Sequence, residues 1–180
     1  VSAPASKCAC PSWTDNSVMA AEDDAIRVRS ALDDAIRVVV VDDHPLLRQG
    51  IVHALSGESD LRVVGEGANA DEAVRLAAEL MPDVLLLDVN MPGGGLNALE
   101  AIASSCPAIA VLVVSVHDDE ETVAAALRKG ARGYALKGID RRQLIETVRS
   151  LHRGEHYVSP SLAARLLADA RPGDRCRDAA

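Results

Sequence analysis

The chain is poor in aromatic residues. They make up 2% of its 180 residues, phenylalanine is absent, and only Trp13, Tyr134 and Tyr157 represent the class. A core must therefore be built from Val, Leu, Ile and Ala, and single-stranded nucleic acid finds too few stacking platforms to bind. Long apolar runs are missing as well. The longest, Ala108 to Val114, falls far short of a membrane-spanning helix of roughly 20 residues. Residues 1–16 hold no apolar stretch of the secretory-signal kind. Positive charge is also short: 27 acidic against 19 basic residues leave a net charge of −8, which argues against a basic surface that tracks phosphates. The four cysteines, Cys8, Cys10, Cys106 and Cys176, lack paired metal-ligand spacing. Reduced thiols in a cytoplasmic protein are the expectation.

What is present is 48% apolar and 26% charged residues, ordinary for one globular domain with tails. Residues 1–35 carry no sustained period and read as a flexible N-terminal extension. Within them Asp23-Asp24-Ala25-Ile26-Arg27-Val28 recurs as Asp33-Asp34-Ala35-Ile36-Arg37-Val38, and only the second copy runs on into a strand. Val38–Val41 reads as a strand buried on both faces, followed by a helix that starts at Pro45 and stops at Ser56-Gly57. Leu61–Val64 is a second strand, and Asn69 with Glu72 forms a capping pair for the next helix. Val84–Leu87, Ile109–Val114 and Gly133–Leu136 supply three more strands. Helices are expected over Leu96–Ser104, Glu120–Lys129 and from the Asp140 cap to Arg153-Gly154.

This alternation predicts an α/β protein: a flavodoxin-like (βα)5 three-layer sandwich with a parallel sheet of order 2-1-3-4-5. The domain is expected over residues 36–157. Residues 158–180 read as an exposed C-terminal helix and a linker, with the chain cut before any DNA-binding domain.

Ligands of such sheets sit at the carboxyl ends of the strands, near the point where strand order reverses. Asp42-Asp43 follow strand 1, Asp88 follows strand 3, Ser115 ends strand 4 and Lys137, one of three lysines, follows strand 5. Strands 1 and 3 would be neighbours, which crowds three carboxylates. Crowded carboxylates repel, and hard oxygen ligands with open water positions suit Mg2+. Lys137 and Ser115 could then serve phosphoryl oxygens in a transfer governed by positioning and electrostatics. Singly, each residue has a plainer reading: an Asp after a strand is often a helix cap, and a lone Lys is usually solvated.

Together the motifs Val40-Val41-Asp42-Asp43-His44-Pro45, Leu86-Leu87-Asp88-Val89-Asn90-Met91-Pro92-Gly93, Val113-Val114-Ser115 and Gly133-Tyr134-Ala135-Leu136-Lys137-Gly138 resemble the receiver domain of bacterial two-component response regulators. The resemblance covers about two thirds of the chain and looks most like receivers that precede a LuxR-type helix-turn-helix. It implies that Asp88 accepts a phosphoryl group from a sensor histidine kinase. It implies that Mg2+ is held by Asp42, Asp43, Asp88 and the backbone carbonyl of Asn90. Ser115 and Lys137 would contact the phosphoryl group, with Tyr134 as the switching aromatic that turns inward. The surface carrying Arg141, Arg142 and Arg149 is expected to meet a partner or a second copy, and DNA would be met only through an output domain.

Two departures stand out. The loop Pro92–Ala98 is about two residues longer than the usual form, and Ala98 stands where Gly is common. His44 and His117 lie near the site edge and read as solvated loop histidines. The competing readings are a scaffold that is never phosphorylated and a Mg2+-dependent phosphatase. The latter needs an acid at the second residue after the nucleophile, where this chain has Asn90.

Overall fold

Four consecutive valines open the sheet, because β-branched side chains suit a pleated surface that is covered on both sides. The computed structural model describes residues 35–160 and 162–163. The extension read over residues 1–35 therefore lies outside the described residues apart from Ala35, as do Cys8, Cys10, Cys176 and the tail beyond Ala163.

The strands are β1 (Ile36–Val41), β2 (Leu61–Gly67), β3 (Val84–Leu87), β4 (Ala110–Ser115), β5 (Gly133–Leu136) and β6 (Tyr157–Val158). The helices are α1 (Pro45–Ser56), α2 (Ala70–Leu80), α3 (Gly95–Ser105), α4 (Glu120–Arg128) and α5 (Arg141–His152). The sheet order is β2-β1-β3-β4-β5-β6, and every neighbouring pair is parallel.

Strand alternation sorts the core into two layers. Val39, Val41, Leu85, Leu87, Val111 and Val113 face α2, α3 and α4 through Ala73, Leu76, Leu99, Ile102, Val123 and Ala126. Val38, Val40, Val84, Leu86, Leu112 and Val114 face α1 and α5 through Ile51, Leu55, Leu144, Val148 and Leu151.

The helices begin where the local chemistry places them. Asn69 Oδ1 accepts from the Glu72 N–H at 2.9 Å, and Asp140 Oδ1 accepts from the Gln143 N–H at 3.0 Å. Each such cap is worth about 1 kcal/mol. Glu72 does not close a capping box onto Asn69. Its carboxylate accepts from the Ala68 N–H, one residue earlier.

Three features differ from the sequence reading. Strand β2 runs on to Gly67, because Gly65 and Gly67 leave room for Leu76 and Leu80 of α2. A sixth strand, β6, adds itself to the edge of β5. Of the helix expected to be exposed after Tyr157, the described Leu162 is 1% exposed and belongs to the core.

The long loop after β3 turns on Gly93 and Gly94, whose φ values of 92° and 84° suit glycine. Gly95 then starts α3 with no space for a side chain, since a Cβ there would lie 2.3 Å from the Asp88 carbonyl oxygen and 2.5 Å from Val89 Cα. Ala98, two residues into the helix beyond Leu96, is buried inside α3. Gly95→Ala should therefore destabilise the fold by about 1–3 kcal/mol, read as a lowered urea midpoint, whereas Gly94→Asn should cost less.

On the opposite side Arg149 of α5 grips the loop between α1 and β2. Its guanidinium meets both Asp60 oxygens at 2.8 Å, Glu58 at 3.0 Å and Glu146 at 2.8 Å. The hydrogen bond from Arg149 holds the Asp60 carboxyl below its ordinary value. A depressed folded-state value gives stability that is present above about pH 4 and is lost as pH falls through the folded value. Asp60→Asn should thus cost under about 1 kcal/mol at pH 7, and the gap to the unsubstituted chain should close in chemical-denaturation curves below pH 4.

Candidate functional site

Register builds the site. Val41 pairs with Leu87, so one step further on Asp42 and Asp88 leave adjacent strands side by side. Ser115 pairs with Leu136, which brings Lys137 over the same edge, and the Lys137 N–H donates to the Ser115 carbonyl at 2.7 Å. The Lys137 ammonium lies 2.7 Å from Asp88 Oδ2 and 2.9 Å from Asp42 Oδ2. All three side chains are buried, at 6% exposure or less. Burial alone would push the lysine down, but its hydrogen bonds to Asp88 and Asp42 prevail and hold it above its ordinary value. It stays an ammonium at every physiological pH.

The second aspartate is placed differently. Asp43 follows β1 at the mouth of α1, where its Oδ1 is buried without a hydrogen-bond partner. His44 Nδ1 stands 2.6 Å from that oxygen, outside hydrogen-bonding geometry, while the ring is 66% exposed. Asp42, Asp43, His44 and Asp88 each offer one ligand atom within 4.8 Å of the others. Three carboxylates face a single ammonium, and one of their oxygens is orphaned. A divalent cation fits this donor set, and the hard oxygens favour Mg2+.

The loop and strand ends complete the edge. The Asn90 N–H donates to Asp88 Oδ1 at 3.0 Å. The Ser115 hydroxyl oxygen accepts from the His117 N–H at 3.1 Å and from Asn90 Nδ2 at 3.3 Å. Tyr134 is fully buried and its hydroxyl donates to the His117 carbonyl at 2.9 Å. Burial raises its phenol above the ordinary value, with Ser115 opposing and nearby aspartates adding to the effect.

Asp42, Asp43, Asp88, Asn90, Ser115, Tyr134 and Lys137 are thus gathered at one edge. The arginines are elsewhere. Arg141 and Arg149 make ion pairs with Glu58, and Arg142 is exposed on the first turn of α5. Two further groups at this edge escape sequence reasoning. His117 acts through its backbone, tying Ser115 to Tyr134, and no side-chain signal marks a backbone role. Arg48, facing the strand ends from α1, donates to the Asp42 carbonyl.

Comparison with known proteins agrees with this geometry. The family model described as the response regulator receiver domain matches residues 38–149. The transcriptional regulatory protein DegU of Brevibacillus brevis is 38% identical over 140 residues, covering 77% of this chain and 59% of DegU. The response regulator GacA of Pseudomonas viridiflava is 41% identical over 132 residues, 73% of this chain and 62% of GacA. The chain thus spans about three fifths of the length of these curated relatives. A two-component response regulator of the LuxR family from Aurantimonas sp. SI85-9A1 superposes with a TM-score of 0.71 at 31% identity, over 75% of this chain and 97% of that one. Among the described residues no helix is long and apolar enough to cross a membrane. With the strand order, the acid cluster and these matches in agreement, the chain belongs to the response regulator receiver family, among relatives of the LuxR/NarL type.

Proposed function

We propose that this chain is a phosphorylation-driven receiver in which Asp88 takes a phosphoryl group from a sensor histidine kinase in a Mg2+-dependent transfer. The observation that carries this reading is the buried Lys137 ammonium shared between Asp42 and Asp88 beside an orphaned Asp43 oxygen. An Asp88 oxygen attacks phosphorus, an O–P bond forms, the P–N bond to the donor histidine breaks, and its electron pair leaves with the imidazole. Lys137 passes its hydrogen bond from Asp88 to a phosphoryl oxygen, and the Ser115 hydroxyl donates to another. Asp42, Asp43, Asp88 and the Asn90 carbonyl would hold Mg2+, which neutralises charge on the transferring group.

The product carries nearly two negative charges where the carboxylate carried one, and Ser115 and Tyr134 convert that change into an altered partner surface. We assign the receiver to residues 36–157 and the surface around Arg141, Arg142 and Arg149 to a partner or a second copy. Control of transcription is assigned to an output domain of the whole protein, in keeping with the names and greater length of the relatives. A cytoplasmic location follows from that partnership.

A small acyl phosphate with Mg2+ should add one phosphoryl group, read by intact mass. Asp88→Asn should abolish the addition, chelation of Mg2+ should stop it, and Lys137→Ala should slow it about 100-fold. Undiminished labelling of Asp88→Asn would overturn the assignment.

A further inference from the structure

The residues after α5 lie away from the acid cluster, yet they fasten onto the strand that carries Tyr134. The Tyr157 N–H donates to the Arg132 carbonyl at 3.1 Å, and the Ser159 N–H donates to the carbonyl of Tyr134 itself at 3.2 Å. Val158 stands in register with Tyr134. The alternation of β6 sends Tyr157 to the α1/α5 layer, where its hydroxyl accepts from Gln143 Nε2 at 2.8 Å. Val158 goes to the α2–α4 layer. The chain then makes a turn, with the Ala163 N–H donating to the Ser159 carbonyl at 2.9 Å, and Leu162 enters the same apolar cluster as Tyr134.

We propose that Tyr157–Pro160, with Leu162 and Ala163, form a strap that holds Tyr134 inward, so that strap docking and phosphoryl binding at Asp88 favour each other. The proposal rests on Asp88 as the phosphoacceptor. The connection is continuous. The strap takes the Tyr134 carbonyl, the Tyr134 hydroxyl takes the His117 carbonyl, and the His117 N–H takes the Ser115 hydroxyl oxygen at the site edge. Tyr134 and Leu162 belong to one apolar cluster, so an outward Tyr134 would leave a void in it, and close-packed interiors do not tolerate one cheaply. Conversely, an undocked Leu162 removes part of the cluster in which the ring is buried. Coupling of this kind is reciprocal: whatever binds the inward state strengthens the strap, and whatever loosens the strap weakens that binding.

The test uses the full chain with Mg2+ and beryllofluoride, a non-covalent stand-in for the phosphoryl group. Amide hydrogen exchange across the strap should slow at least about fivefold when the probe binds. Leu162→Ala should weaken beryllofluoride binding by a similar factor, and Leu162→Met should restore it. Slowed exchange at Val89 and Asn90 with unchanged exchange in the strap overturns the strap and leaves the phosphoacceptor reading standing. Unchanged exchange at both places overturns the two together, and unaltered affinity in a folded Leu162→Ala overturns the coupling. The exchange measurement needs no substitution, so it decides the matter even where Leu162→Ala fails to fold.

Discussion

A single buried ammonium organises the functional edge. Lys137 reaches Asp42 and Asp88 only because β1, β3 and β5 end at matching heights, which the Val41–Leu87 and Ser115–Leu136 pairs enforce. Without the lysine, two carboxylates buried at 3% exposure or less would face each other unpaired. Without the carboxylates, burial would push the lysine below its ordinary value. Breaking such a pair costs about 3–5 kcal/mol, mostly as the penalty on the charge left behind. The arrangement is therefore poor at adding stability and good at fixing position. It also leaves the carboxylates in excess, which is the electrostatic reason a cation belongs there.

Around that pair the backbone does the fine placement. Gly95 lets α3 pack onto the Asp88 peptide at a distance that excludes any side chain, so the loop after β3 cannot drift away from the helix. The Asn90 and His117 N–H groups fix Asp88 and Ser115 from the two flanking loops. These donors belong to the connections after β3 and β4, so the edge is positioned by loops resting on the sheet.

Much of this architecture is readable from residue order. The valine run, the capping Asn69 and Asp140, and the spacing of strands define the layers, because each rests on local chemistry that the tertiary structure does not contradict. The acidic edge is readable for the same reason: in a doubly wound sheet, the residues just past each strand line the site. The failures share a different cause. Strand β6 is two residues long, too short for any period, and exists because the edge of β5 offers unpaired backbone groups. Leu162 sits in a stretch whose Ala/Leu pattern suits an exposed helix equally well, and only the place of the chain at that edge decides its burial. Gly95 and the His117 backbone are invisible to side-chain chemistry, since neither acts through a side chain.

The scarcity of aromatic residues bears on how such a domain changes state. Among the described residues Tyr134 and Tyr157 are the aromatics, and they stand on the two neighbouring strands β5 and β6 at one end of the sheet. Tyr134 is the largest fully buried side chain in a core otherwise made of aliphatic groups. Branched aliphatic side chains hold one packing arrangement and yield little when a neighbour moves. The ring is held by its hydroxyl hydrogen bond to the His117 carbonyl and surrounded by such groups, so positions between inward and outward would be poorly packed. Leaving would forfeit several kcal/mol of apolar burial and about 1 kcal/mol of hydrogen bonding. The inward ring is the packing this structure shows, with β6 paired in register beside the strand that carries it.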